Sequence, residues 1–311
     1  MTAAPAQNSG PAATGIVAFT LCEPAYLVGA AALFNSLIAS GFQGTFIVGL
    51  KGGPGGWLLT LPAGVPAGVN VRVIAAPGDR HLTHGKALFA RRILDELEPA
   101  CTGIAYFDPD VVVKAKWSDI TARILTTACV CADENAPPWL GQEAPWSRFA
   151  AEQTGLSTAM DGACCNGGFV GALRAHRAVL DLWEKLILAC VQRGFDPREF
   201  TWNGERALPF FFVDQDMLNL AIRLAGAPVW IGGPETMDFR PGGNWLSHAI
   251  STPKPWGRWY LPRVLAGRTV RQCDVAFWEN AAKPIPAVPA VSRWFHRLDL
   301  ALARSLSHKT S

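Results

Sequence analysis

Asp108-Pro109-Asp110 is the segment of this chain whose residue types most plainly suit chemistry. Two carboxylates two residues apart can reach one small volume if the backbone bends between them. Hard divalent cations take carboxylate oxygens as ligands, and a nucleotide diphosphate brings further oxygens to the same ion. A cation held there offsets the charge that builds on a departing diphosphate. A D-x-D also arises as a plain acidic turn. This one is raised above that reading by its place directly after the apolar run GIAYF, residues 103–107.

Three further segments can be read with it. His248 stands upstream of Lys254-Pro255-Trp256. An imidazole suits manganese as a third ligand, and a lysine ammonium neutralises phosphate as a point charge; alone, such a histidine is more simply a capping residue in a surface loop. Asp214-Gln215-Asp216 opens the apolar helix MLNLAI after Phe210-Phe211-Phe212-Val213. Helix capping and the macrodipole account for an acidic residue at that place but not for Gln215, which suits the floor of a pocket. Asn166-Gly167-Gly168 interrupts an apolar strand, which marks either a bulge or the close approach of a ligand. There is no G-x-G-x-x-G after the first strand, no P-loop around Gly85-Lys86, and no G-x-S-x-G, so dinucleotide, P-loop nucleotide and nucleophile-elbow chemistry are set aside.

The elements that must position these residues follow from periodicity. Strands are expected at 15–21, 45–50, 69–75 and 103–107, with 111–113 continuing the extended run. Helices are expected at 24–40 and at 83–98, the latter carrying Lys86, Arg91 and Arg92. Alternation of strand and helix predicts a parallel sheet covered on both faces. Ligands then bind beyond the carboxyl ends of the strands, where both TLCEP (20–24) and the DPD fall. The second half reads as strands at 127–132, 164–173 and 229–231, helices at 175–191 and 214–224, a loop over 194–209, and irregular chain from 232 to 256.

Half of the 311 residues are hydrophobic and 17% are charged, which suits a sizeable core. A net charge of +3 offers no broad basic field, so nucleic acid is not an expected partner. Eight cysteines without C-x-x-C spacing fit a reducing, cytoplasmic setting, with Cys22 read as a small core residue. The first 14 residues read as a disordered tail rather than a signal peptide. No run of 18 apolar residues predicts a membrane span. Near the other end, Val291, Trp294, Phe295, Leu298 and Leu302 recur at helical spacing among Arg293, Arg297, Arg304, His308 and Lys309. That is a basic amphipathic helix, compatible with peripheral contact on the inner face of a membrane through residues 291–309 or with packing on the domain.

Taken in order, TLCEPAY, ARRIL before DPD, NGGF, DQDMLN and H-x5-KPW resemble the retaining glycosyltransferases of family 8, the group of glycogenin and the bacterial lipooligosaccharide galactosyltransferases. The resemblance covers about residues 15–260. It implies an α/β GT-A fold, a Rossmann-like nucleotide-diphospho-sugar transferase with a mixed central sheet flanked by helices. The expected organisation is a tail at 1–14, the transferase domain at 15–270 and an extension at 271–311. The implied activity moves a hexose from a nucleotide-sugar, a UDP-hexose foremost, to a saccharide or lipid-linked acceptor, with Mn²⁺ or Mg²⁺ as cofactor. Asp108, Asp110 and His248 are implied as metal ligands, and Lys254 as the diphosphate contact. Thr20, Leu21 and Tyr26 are implied around the base; Arg91, Asp108, Asn166 and Gly167 around the rest of the donor; Asp214 and Gln215 at the sugar, with Gln215 in the catalytic place. The chain departs from the family in Cys22-Glu23-Pro24, where Asp and Asn are usual, and in Ser251, where HxxGxxKPW carries glycine. Two other readings stay open: an inverting GT-A enzyme with Asp133 or Asp214 as base, and a non-catalytic nucleotide-sugar-binding protein.

Overall fold

The computed structural model describes residues 15–52, 65–76, 78–202 and 209–307. The expected tail at 1–14, part of the loop expected over 194–209, and His308 and Lys309 lie outside the described residues.

Strands β1 (Ile16–Cys22), β4 (Gly103–Phe107) and β6 (Ala128–Ala132) are buried along their whole length, and nearly all apolar, because both faces of their sheet are covered. Successive side chains enter opposite cores. Val17, Phe19, Ile104, Tyr106 and Val130 join helices α2 (Lys86–Arg92), α5 (Arg177–Gln192) and α6 (Val213–Leu224). Ile16, Ala18, Ala105, Phe107 and Cys129 join α1 (Leu27–Ala39) and α3 (Trp117–Ile124) on the other face. All eight cysteines are buried and unpaired. Cys22 is one of them, its thiol pushed up to about 12 by burial.

The seven-stranded sheet has the order β3 (Val69–Ala75), β2 (Gly44–Leu50), β1, β4, β7 (Cys165–Leu173), β6, β8 (Val229–Gly232). The first four strands run parallel, β7 runs against β4 and β6, and β8 is parallel to β6, so the sheet is mixed. The chain leaves β1 outward through β2 and β3 and returns on its other side as β4. The crevice between the carboxyl ends of β1 and β4 is thus the point where strand order reverses, the general place for ligands in such sheets.

β4 ends at Phe107. Pro109 and the bond from Val111 N to Asp108 O (3.0 Å) close a turn, so Val111–Val113 does not continue the strand. It is a separate strand, β5, paired antiparallel with β9 (Leu246–His248), with Val111 opposite His248. β9 lies inside the stretch expected to be irregular. A Cβ added to Gly29 of α1 would stand 2.3 Å from Pro109 O and 2.8 Å from the Trp256 ring, so only glycine lets the helix touch the DPD turn. The helix expected over 83–98 is three pieces: a 3-10 turn (Leu82–Gly85), α2, and a π-helical turn (Ile93–Leu97).

Helices α4 (Glu143–Thr154), α7 (Leu261–Leu265), α8 (Gln272–Asn280) and α9 (Ala290–Ser307) complete the chain. The end of the chain is bound to the central core. The Asn35 amide donates to Asn280 O and Ile285 O (2.7 Å each), and Arg258 pairs with the buried Asp274.

Candidate active site

A cavity of about 420 Å³ opens at the carboxyl ends of β1 and β4. The DPD turn and β9 bring Asp108, Asp110 and His248 to its wall, with one ligand atom of each within 4.8 Å of the others. His248 Nε2 lies 3.5 Å from Asp108 Oδ2 and 3.3 Å from Asp110 Oδ1. β5–β9 pairing makes this geometry, since the ladder that sets Val111 opposite His248 also fixes Ala249 N on Asp110 O at 3.2 Å. Gly168 is the other half of the device. A Cβ there would stand 2.4 Å from His248 Cε1, so the close approach that interrupts this strand is made by the histidine.

Lys254 Nζ donates to Asp110 Oδ2 (2.5 Å) and Ala249 O (2.7 Å) and lies 5.7 Å from the Tyr26 ring centre. Burial would raise the Asp110 carboxyl, but His248 and Lys254 hold it well below the usual carboxylate range. Two carboxylate oxygens and an imidazole nitrogen, with one carboxylate held ionised, are a donor set that fits Mn²⁺ or Mg²⁺.

The second charged centre is Lys86, at the first position of α2 and 3% exposed. Its ammonium reaches Asp108 Oδ1 (3.2 Å), Asp214 Oδ2 (3.1 Å) and Gly167 O (3.0 Å), which satisfies all three N–H groups. Burial opposes its charge, yet the two aspartates hold it above the ordinary lysine value. Asp214 is held low in turn: burial raises it, and Lys86 overcomes that. Tyr106 donates its hydroxyl to Asp108, and burial beside that carboxylate raises the phenol well above its usual value.

The start of α6 closes the floor. Trp183 Nε1 donates to Asp214 O (2.7 Å), and Gln215 Oε1 accepts from Gly167 N (3.1 Å). Asn166 Oδ1 accepts from Gly168 N (2.9 Å) while its amide donates to Asp133 Oδ2 (2.9 Å). Asp216 faces away from the cavity and accepts from Phe211 N (2.8 Å). Burial pushes its carboxyl up to about 8, against the pull of that N–H. The sign is then fixed. The folded state keeps a proton that the unfolded chain releases near pH 4, so Asp216 removes stability as pH rises from about 4 to about 8. Asp216→Asn, isosteric with the protonated acid, is expected to match the parent near pH 4 and to exceed it by a few kcal/mol at pH 8. Urea denaturation at the two pH values reads this, and a gap that does not widen with pH would mean an ionised Asp216.

Of the residues singled out by sequence, Leu21, Tyr26, Asp108, Asp110, Asn166 and Gly167 line this cavity, as do Asp214, Gln215, His248 and Lys254. Thr20 is fully buried in β1 and contributes no lining. Arg91 is not brought in. It pairs with Asp181 on α5 (2.8 Å) and lines a different cavity with Arg177 and Glu184. Lys86 belongs to no motif read from the sequence, although it shares one helical face with the buried Phe89, Ala90 and Ile93, spacing that puts a lysine in the core. Arg91, five positions on, points elsewhere for the same reason.

No family model matches the sequence, and no curated protein is detectably similar to it. Solved structures are similar in shape. They include WbbM, a bifunctional glycosyltransferase, at 14% identity and TM-score 0.54 over 92% of this chain, which spans 52% of that one. LgtC, a galactosyltransferase solved with donor and acceptor sugar analogues, gives 14% and 0.52 over 90% of this chain and 99% of its own. GlyE, a glycosyltransferase from Streptococcus pneumoniae, gives 13% and 0.51 over 91% of this chain and 64% of its own. With the mixed seven-stranded sheet, these likenesses place the chain in the GT-A fold.

Proposed function

We propose that this chain is a metal-dependent glycosyltransferase that moves a hexose from a nucleotide-sugar, a UDP-sugar foremost, to an acceptor hydroxyl with retention. The acceptor is a saccharide, free or lipid-linked, in the synthesis of a cell-surface glycan or glycoconjugate on the cytoplasmic side. The observation that carries the reading is the meeting of Asp108, Asp110 and His248 where the strand order reverses, with Lys254 against Asp110.

Those three residues would hold Mn²⁺ or Mg²⁺, which when bound supplies Lewis-acid stabilisation of the diphosphate. Lys254 adds a second positive charge beside the same carboxylate, available to the leaving diphosphate. Tyr26 and Leu21, at the end of β1, border the side proposed for the base, and Gly167 leaves room for the sugar ring. Gln215, a neutral amide fixed by Gly167 N, can orient a sugar hydroxyl but cannot take its proton. Asp214 is bound to the Lys86 ammonium and is a poor general base. Both points favour retention. Asp133, a carboxylate on the cavity wall, is the group that favours the inverting alternative.

Release of nucleoside diphosphate from a panel of nucleotide-sugars, with Mn²⁺ and with EDTA, tests the reading. Metal-dependent turnover of one donor is expected, and the anomeric configuration of the product separates retention from inversion. The absence of both turnover and donor binding across the whole panel would remove the catalytic assignment.

A further inference from the structure

The apolar stripe of α9 faces away from the protein. Val291, Trp294, Phe295, Leu298 and Leu302 fall on one side of the helix at spacings of three, four and seven, and they are 44–70% exposed. The side against the domain carries His296, Asp299, Leu300 and Ala303, all buried. A surface helix normally turns its apolar stripe inward. Here the setting is locked the other way. Asp299 accepts from Tyr260 N (2.6 Å) and Leu261 N (3.1 Å), and the His296 ring stacks between Trp259 and Trp278 at 4.5 and 4.8 Å. Turning the stripe inward would break both contacts. A contiguous exposed row of this size marks a docking surface.

The charges around the stripe select its occupant. Arg293, Arg297 and Arg304 lie along one flank by helical spacing, and their stems can run beside the apolar row with the heads at its edge. α7, which packs against α9, carries Arg263 and is followed by Arg268. No acidic residue occurs from Gly257 to Arg271, and the one acid of α9, Asp299, is buried and fully engaged. Among the described residues no helix is long and apolar enough to cross a membrane. A cationic helix with an outward apolar stripe lies in the plane of an anionic bilayer, arginines at the headgroups and Trp294 at the boundary.

We propose that the outer face of α9, flanked by α7, docks this protein on an anionic lipid surface. The surface is joined to the cavity by a short chain of contacts. Asp299 holds Tyr260, and the Tyr260 hydroxyl donates to Pro255 O (3.0 Å), next to Lys254. Docking requires no nucleotide-sugar, so it stands or falls apart from the transfer reading.

Sedimentation of the full chain with vesicles of phosphatidylcholine mixed with phosphatidylglycerol, and of phosphatidylcholine alone, tests it. Binding to the anionic vesicles is expected. Arg297→Gln with Arg304→Gln should weaken it roughly 30-fold, at about 1 kcal/mol per basic side chain. Trp294→Ser with Phe295→Ser should reduce it to the level on neutral vesicles, with thermal unfolding by circular dichroism no lower than in the parent because both side chains point outward. Absence of binding to anionic vesicles, or binding untouched by the Trp294 and Phe295 changes, overturns the proposal. So does a dimer in light scattering that those changes dissolve while no vesicle is bound, since a second copy would then cover the stripe.

Discussion

Replacement of Lys86 by methionine is expected to destabilise the folded chain by roughly 3–5 kcal/mol at neutral pH, the range for removing one partner of a buried ion pair. Methionine keeps most of the volume and loses the ammonium. Asp214, 3% exposed, is then a buried carboxylate with no cation in contact, and Asp108 loses one of the groups that orient it. The pH dependence separates this cause from mere repacking. In the parent, Lys86 holds Asp214 below its ordinary value, which contributes stability above that value and loses it as pH falls through the lowered one. In the variant, burial is the largest influence left on Asp214 and raises it against the weaker pull of His84 and the Gln215 N–H, so ionising it costs stability as pH climbs above about 4. The deficit should therefore be largest near pH 7 and shrink toward pH 4 in urea denaturation. Adding Asp214→Asn removes the stranded charge, and the double variant should be more stable than the single one, a non-additivity expected of residues in contact. A deficit independent of pH and unrelieved by Asp214→Asn would show that Lys86 acts through packing.

The same lysine shows what the sequence made legible. The strands were readable because a sheet covered on both faces needs unbroken apolar runs, and GIVAFTL and GIAYF are such runs. The DPD was readable because it follows one of them. Lys86 sits on a readable helical face beside Phe89, Ala90 and Ile93, whereas Arg91, the residue that the motif order picks out, is turned by the helix toward Asp181. The β5–β9 ladder was not readable. Three residues of strand carry no period, and their partners are remote in sequence and joined only by the fold. Without that ladder, His248 could be named as a ligand but not placed. The rotation of α9 was also invisible. Its stripe was plain in the sequence, but which side meets the domain is decided by Asp299 and His296, whose partners lie on other elements.

Asp110→Ala is expected to weaken Mn²⁺ binding by more than the roughly 10–100-fold that loss of an outer-shell partner costs. Under the proposed function it should lower metal-dependent donor cleavage about a thousandfold, several kcal/mol of lost charge stabilisation. Asp110 is the group to remove because it touches both His248 Nε2, at 3.3 Å, and Lys254 Nζ, at 2.5 Å. Its deletion also frees Lys254 from its carboxylate, which would mimic part of the effect on a diphosphate. Asp110→Asn answers that objection. The amide oxygen still accepts from Lys254 but is a far poorer ligand for a hard cation. If loss of the cation is the cause, the two variants should fail together in Mn²⁺ calorimetry and in donor cleavage, with unfolding midpoints of Asp110→Asn close to the parent. Retention of Mn²⁺ binding and metal-dependent cleavage by Asp110→Asn would leave Lys254 placement as the role of this carboxylate and move the cation away from the Asp108, Asp110 and His248 cluster.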